Sequence, residues 1–141
     1  MKKLLSLLTM IVLMLCFSVS AFALEEEPPV PDDPEEPYLY TREISSTLSI
    51  SGNTATCLSQ VIGKPDWVTK IEITQTLQET FGGISWYYVA SWNNTYYSTT
   101  AQYVNTKTPM SSGNYRVKTE AKVYNGSSYE TITAYSTVRT I

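Results

Sequence analysis

Apolar and polar residues alternate with a period of two through almost the whole chain from Tyr38 onward. "TLSI" sets Leu48 and Ile50 on one side, "TATCLSQV" does the same with Ala55, Cys57 and Val61, and "VTKIEITQTLQ" with Ile71, Ile73 and Leu77. Between the apolar positions of that last run lie Lys70, Glu72, Thr74, Thr76 and Gln78. A side chain on the same face at every second residue is the geometry of an extended strand. The pattern therefore describes strands buried on one face and solvated on the other. "SWYYVASW", "YYSTTAQYV", "NYRVKTEAKVY" and "ETITAYSTV" continue the series. Turn signals separate them at Ser51, Gly63, Gly82, Asn93, Ser111 and Asn125, and no stretch combines helical spacing with caps. About seven such strands predict an all-β, antiparallel β-sandwich over residues 38–141.

What precedes the strands is different in kind. Lys2 and Lys3, an apolar run from Leu4 to Phe17, and small residues ending at Ala21 and Ala23 make the three-part pattern of a secretory signal peptide over residues 1–23. A retained membrane anchor is the alternative, since a span needs roughly 20 apolar residues; the small-residue cleavage site favours removal. Leu15 precedes Cys16, so lipid attachment there is not expected. No second apolar run follows. The cleaved chain is expected outside the membrane, secreted or held at the cell surface.

Residues 24–37 form an acidic, Pro-rich linker, "EEEPPVPDDPEEP" after Leu24. Proline and like charges keep such a stretch extended and disordered. It reads either as a solvating spacer or as a recognition arm, the spacer being the plainer reading. Seven of the 13 acidic residues sit here, which leaves six against the eight bases that remain once Lys2 and Lys3 are set aside. The strand region is therefore about +2, without a basic stripe, which argues against nucleic acid as a partner.

"SSGNYRV" refines the fold. Tyr115 stands two residues after Gly113, with Val117 two further on. Immunoglobulin-type domains open strand F as S-G-x-Y-x-C, where the tyrosine makes a corner hydrogen bond and the cysteine bridges to strand B. Here Val117 occupies the cysteine position, and Cys57 in "ATC" resembles the strand-B half. Cys57, the one cysteine left after signal removal, then has no partner and is expected to be a small buried apolar residue. An intermolecular disulfide or a reactive thiol are the rival readings. Trp86 lies too far along to be the core tryptophan of strand C, so the expected topology is immunoglobulin-like in the broad sense.

Taken together, "SISGNTATC", "VTKIEITQTLQ" and "SSGNYRVKTEAKVYNG", behind a signal peptide and "YTREIS", resemble uncharacterised small exported proteins of Gram-positive bacteria. The resemblance spans Tyr40 to Ser136. It implies the fold and export, and brings no activity and no site residues with it.

Chemistry is restricted by what is missing. The sequence has no histidine, which removes histidine-based triads and two-His zinc motifs. A carboxylate pair could still hydrolyse glycosides, and Glu43, Asp66, Glu72, Glu79, Glu120 and Glu130 are available. Glu72 and Glu120, however, are interleaved with Lys70, Lys118 and Lys122, where cross-strand ion pairs explain them. No cofactor or metal is expected, and the chain is read as non-catalytic. The aromatic density is the stronger signal: Trp86, Tyr87, Tyr88, Trp92, Tyr96, Tyr97 and Tyr103 lie within one stretch. "SWNNTYYS" reads as a hairpin whose tip presents Trp92, Asn93, Asn94, Tyr96 and Tyr97, with Tyr87 nearby. Flat rings beside amides can stack on extracellular carbohydrate or anchor a protein partner; cross-strand aromatic pairing is the competing explanation. A second face follows from parity. If Tyr115, Val117, Ala121 and Val123 face inward, then Arg116, Lys118, Glu120, Lys122 and Tyr124 face out. Folding back at "NGSS" would put Ile132, Ala134 and Val138 inward, and Tyr129, Thr131, Thr133 and Tyr135 beside the basic row. A structural, self-assembling envelope protein, joined through edge strands or Cys57, is the alternative to a binding module.

Overall fold

The computed structural model describes residues 38–108 and 110–141, so the expected signal peptide (1–23) and acidic linker (24–37) lie outside the described residues. The alternating segments form β1 (Thr41–Ser51), β2 (Thr54–Gly63), β3 (Lys70–Thr80), β4 (Trp86–Tyr96), β5 (Thr100–Lys107), β6 (Asn114–Asn125), β7 (Ser128–Tyr135) and the short β8 (Arg139–Thr140). All pairings are antiparallel. One sheet has the order β1-β2-β5; the other runs β4-β3-β6-β7, with β8 also pairing β6. The chain is an antiparallel β-sandwich, as the alternation predicts.

Two hairpins are tight. Gly52 (φ 56°) and Gly126 (φ 60°) each take the first central position of a two-residue turn, closing Ser51 on Thr54 and Asn125 on Ser128. Glycine is needed there because a positive φ at that position matches the twist of the flanking strands. The β2–β3, β4–β5 and β5–β6 links cross between sheets, so β4 and β5, though consecutive, belong to different layers.

The expected corner forms at the start of β6. The buried Tyr115 hydroxyl lies 3.0 Å from the Ser111 carbonyl and 3.1 Å from Glu79 Oε1. Burial, and then the Glu79 carboxylate, raise its pKa. A Cβ at Gly113 would sit 2.5 Å from the Glu79 carboxylate and 3.2 Å from the tyrosine ring, so a larger residue here would push that carboxylate aside. Cys57 is a fully buried free thiol, in one apolar cluster with Leu48, Ala55, Leu77, Tyr115 and Val117. Desolvation pushes its pKa up to about 12, so it behaves as the small apolar residue expected.

A second apolar cluster gathers Val61, Ile71, Ile73, Ala101, Ala121, Val123 and Ile132. Between the two clusters the inward positions turn polar: Ser59, Gln75 and Thr119 are completely buried. Asn105 Nδ2 donates to Gln75 Oε1 (3.0 Å) and Gln75 Nε2 to Ser59 Oγ (2.7 Å), while Ser59 and Thr119 hydroxyls lie 2.6 Å apart. Thr119 Oγ1 donates to Ser46 Oγ (2.9 Å), which donates to the Val117 carbonyl (3.2 Å). Since the Thr119 proton goes to Ser46, Ser59 donates to Thr119, and the chain of donors runs one way. It passes from β5 to β3, β2, β6 and β1, crossing between the sheets at each step. Every member is satisfied, the condition under which buried polar groups are tolerated.

Two expectations are overturned. Asn93 and Asn94 form no hairpin tip: β4 continues through them, with Gln75↔Trp92, Thr74↔Asn93, Ile73↔Asn94 and Ile71↔Tyr96 in unbroken register. Pairing with β3 outweighs the weak turn preference of asparagine, and the chain reverses instead at Tyr97–Thr99, where Thr100 N–H bonds Ser98 Oγ (3.2 Å). Nor does Val138 face inward; it is 50% exposed. The ladder from β7 stops at Ser136, whose N–H donates to the Val117 carbonyl and whose hydroxyl accepts the Val117 N–H. The chain then resumes pairing as β8, out of the earlier phase.

Candidate functional site

The residues expected to form one binding tip are separated. Trp92 and Tyr96 lie on the inward phase of β4 and are half-buried, Trp92 against the cluster of Leu48 and Cys57, Tyr96 against that of Val61 and Ile71. Tyr96 meets Tyr103 of β5 edge-on, with centroids 6.4 Å apart. The hydroxyls are exchanged: Tyr96 donates to the Gln102 carbonyl of β5 (2.8 Å), and Tyr103 to the Asn93 carbonyl of β4 (3.1 Å). These rings close the gap between the two sheets along one flank. Asn93 and Asn94 point to opposite faces, one opposite exposed Thr74 and the other opposite buried Ile73. Tyr97 stands apart in the turn, 84% exposed, and Tyr87 packs on Phe81 (6.0 Å) at the other end of β4. Packing on the two core clusters thus accounts for Trp92 and Tyr96, with Tyr96 also meeting Tyr103 across the gap between the sheets.

The outward row read from parity does assemble into one face, across β4, β3, β6 and β7. At one end the Arg116 guanidinium lies 3.9 Å from the Trp86 ring centroid and 4.2 Å from that of Tyr135, and its Nε donates to Gln78 Oε1 (2.9 Å). At the other, Lys70 Nζ sits 3.8 Å from the centroid of Tyr124, whose hydroxyl donates to Glu72 (2.9 Å) and whose ring packs on Tyr129 (5.1 Å). Lys122 approaches Tyr129 at 5.2 Å. Between the ends run Thr74, Thr76, Thr131 and Thr133 with Lys118 and Glu120. From Arg116 to Tyr124 the strand extends roughly 25 Å. Cation–π contact orients Tyr129 and Tyr135 while leaving them 52% and 51% exposed, and Tyr88 stands on the same face 70% exposed. Parity exposed this row in the sequence; that Trp86 and Tyr88 join it depends on β4 lying beside β3.

Glu72, Glu79, Glu120 and Glu130 are engaged. Lys70 bonds Glu72 (2.7 Å) and Lys118 bonds Glu120 (2.9 Å), each pair two residues apart along one strand rather than across strands as expected. Hydrogen bonds from Lys70 and then Tyr124 lower the Glu72 pKa, and the bond to Glu72 raises those of Lys70 and Tyr124. Glu130, by contrast, faces inward from β7 and accepts the N–H groups of Leu39, Tyr40 and Thr41 and the Thr41 hydroxyl, all at 2.7 to 2.8 Å. It is a structural clamp on the start of the domain. Among the described residues, no three acidic or thiol groups gather as metal ligands. The β3–β4 turn adds Phe81 and Ile84 to the exposed apolar surface; in the sequence its signal is two apolar residues flanking Gly82 and Gly83. No family model, curated protein or solved structure matches this chain.

Proposed function

We propose that the chain is an exported, non-catalytic binding module with immunoglobulin-like topology, taking extracellular carbohydrate on the open face of β4-β3-β6-β7. The carrying observation is one face on which half-exposed rings, held by cations, stand at both ends of a threonine-rich strip. Such rings offer flat apolar surface to sugar faces, and the hydroxyls and amines between them offer hydrogen bonds to sugar oxygens. Export is supported by the pattern of residues 1–23, and a Gram-positive origin by the resemblance alone. The topological part rests on strand order: β1, β2 and β5 share a sheet, as strands A, B and E do, while β3, β6 and β7 share the other, as C, F and G do. The Tyr115 corner and the facing of Cys57 by Val117 agree with it. A non-catalytic role is supported by the absence of histidine and by the lysine pairing of Glu72 and Glu120.

Retention of the purified protein on cell-wall preparations and insoluble polysaccharides tests the reading. The wild type should be retained, Tyr88→Ala with Tyr135→Ala should not, and Tyr97→Ala should be retained. No retention of the wild type on any of these materials would sink it. A self-assembling role has its own supporting observation, an uncharged flank, and concerns a different surface.

A further inference from the structure

No charged residue occurs between Glu79 and Lys107. That interval contains all of β4 and β5 up to its final Lys107, and these are the outer strands of the two sheets on the same flank. Edge strands expose unpaired main-chain groups, and folded proteins commonly protect them with charges or proline. β4 has neither over its 11 residues. Its one irregularity is the register step between Leu77↔Ala90 and Gln78↔Tyr88, which leaves Val89 unpaired and a regular stretch from Ala90 to Tyr96. Asn93 is the midpoint of that stretch. In an antiparallel ladder every second residue of an edge strand turns both main-chain groups outward. The Asn93 carbonyl accepts a hydroxyl from β5, not from its own sheet, which places Ser91, Asn93 and Thr95 in the outward phase; the carbonyl keeps a second lone pair for another donor.

We propose that two copies of the chain pair through β4, antiparallel about a two-fold axis at Asn93, so that β4-β3-β6-β7 of each becomes half of one continuous sheet. The occupant is a second copy because the arrangement is self-complementary. Asn93 meets its equivalent, and Ser91 meets Thr95 in both directions, as a two-fold interface requires. A charged strand would set like charges against each other across the axis; this one has none to set. The regular pairing ends where Ala90 meets Tyr96, beside the exposed Tyr97 of the second copy. Tyr88 lies beyond the step at Val89 and stays on the proposed carbohydrate face, so the pairing, which rests on main-chain groups, stands or falls separately from that reading.

Sedimentation velocity across a concentration series tests the pairing. The wild type should be dimeric, while Asn93→Lys alone and Asn93→Asp alone, each with an unchanged circular dichroism spectrum, should weaken self-association by about tenfold or more. An equimolar mixture of the two should restore the dimer, because the opposite charges face each other across the axis. A second variant needs no charge: residues opposed in a hydrogen-bonded pair lie about 5.5 Å apart at Cα, within disulfide reach. Asn93→Cys should therefore give a covalent dimer in oxidising buffer, and Thr131→Cys, on the same sheet but far from the axis, should not. A wild type that stays monomeric at every concentration overturns the proposal. So do Asn93→Lys and Asn93→Asp proteins that remain dimeric, a mixture that stays monomeric, or cross-linking at Thr131 but not Asn93.

Discussion

Along the flank where β1 meets β7 and β8, charged groups join the two sheets. Glu130 collects the N–H groups of Leu39, Tyr40 and Thr41, and Arg139 Nε donates to the Leu48 carbonyl at 3.3 Å. Along the opposite flank, β4 and β5 are joined by neutral hydroxyls, Tyr96 to Gln102 and Tyr103 to Asn93. Both devices satisfy main-chain groups across a gap between layers. They differ in what they leave outside. The first flank ends in charge and discourages another strand from docking, whereas the second leaves a long neutral edge that only a neutral surface can approach without an electrostatic cost.

The largest effect should come from the residue that connects both flanks. Gln75→Ala removes the link between Asn105 and Ser59, leaves Asn105 without its acceptor and Ser59 bonded to Thr119 alone, and opens a cavity. We expect a loss of about 4 kcal/mol in urea unfolding, and a loss below about 1 kcal/mol would mean that the chain of hydroxyls contributes little. Glu130→Ala should cost about 3 kcal/mol and speed amide exchange at Tyr40 and Thr41, with exchange in β4 unaffected. Equal acceleration in β4 would show that the two flanks are not independent. Tyr103→Phe removes one neutral hydrogen bond from a partly exposed site and should cost about 1 kcal/mol. A cost matching that of Glu130→Ala would erase the distinction between the flanks.

The smallest effect at neutral pH concerns Cys57, between the flanks. Its folded pKa, about 12, lies above the ordinary value of 9.0. The unfolded chain therefore releases its thiol proton first. The contribution of Cys57 is fully present below pH 9.0 and is lost as pH rises from 9.0 toward 12. Cys57→Ala should flatten the alkaline fall in stability across that window; an unchanged slope would assign the fall to the tyrosines, Tyr115 first. In the native protein the thiol should resist alkylation until unfolding.

Much of the fold could be read directly because burial on a strand follows parity. Tyr115, Val117, Ala121 and Val123 are buried as read, and Arg116, Lys118 and Lys122 face out. The same parity puts Ser59, Gln75 and Thr119 inside. Their polarity hides them from a search for apolar positions, yet it is the reason they form the layer between two apolar clusters. Asn93 and Asn94 misled because asparagine favours turns locally, and no local signal reveals that β3 offers an unbroken partner for this stretch. Val138 misled because Ser136 ends the ladder of β7 by taking both main-chain groups of Val117, a contact with a residue 19 positions away.

The sequence by itself determined the properties that act over a few residues: two-faced strands from a period of two, tight turns at Gly52 and Gly126, the Tyr115 corner, and a chemistry without histidine. Only the tertiary structure decided which strands adjoin. That choice set Trp92 and Tyr96 to close the gap between the sheets, brought Trp86 and Tyr135 onto one arginine, and left β4 and β5 as edges. The reason is physical. Alternation fixes which face of a strand is apolar and applies equally to every strand here, whereas pairing is settled by small differences among many non-local registers that no single segment encodes.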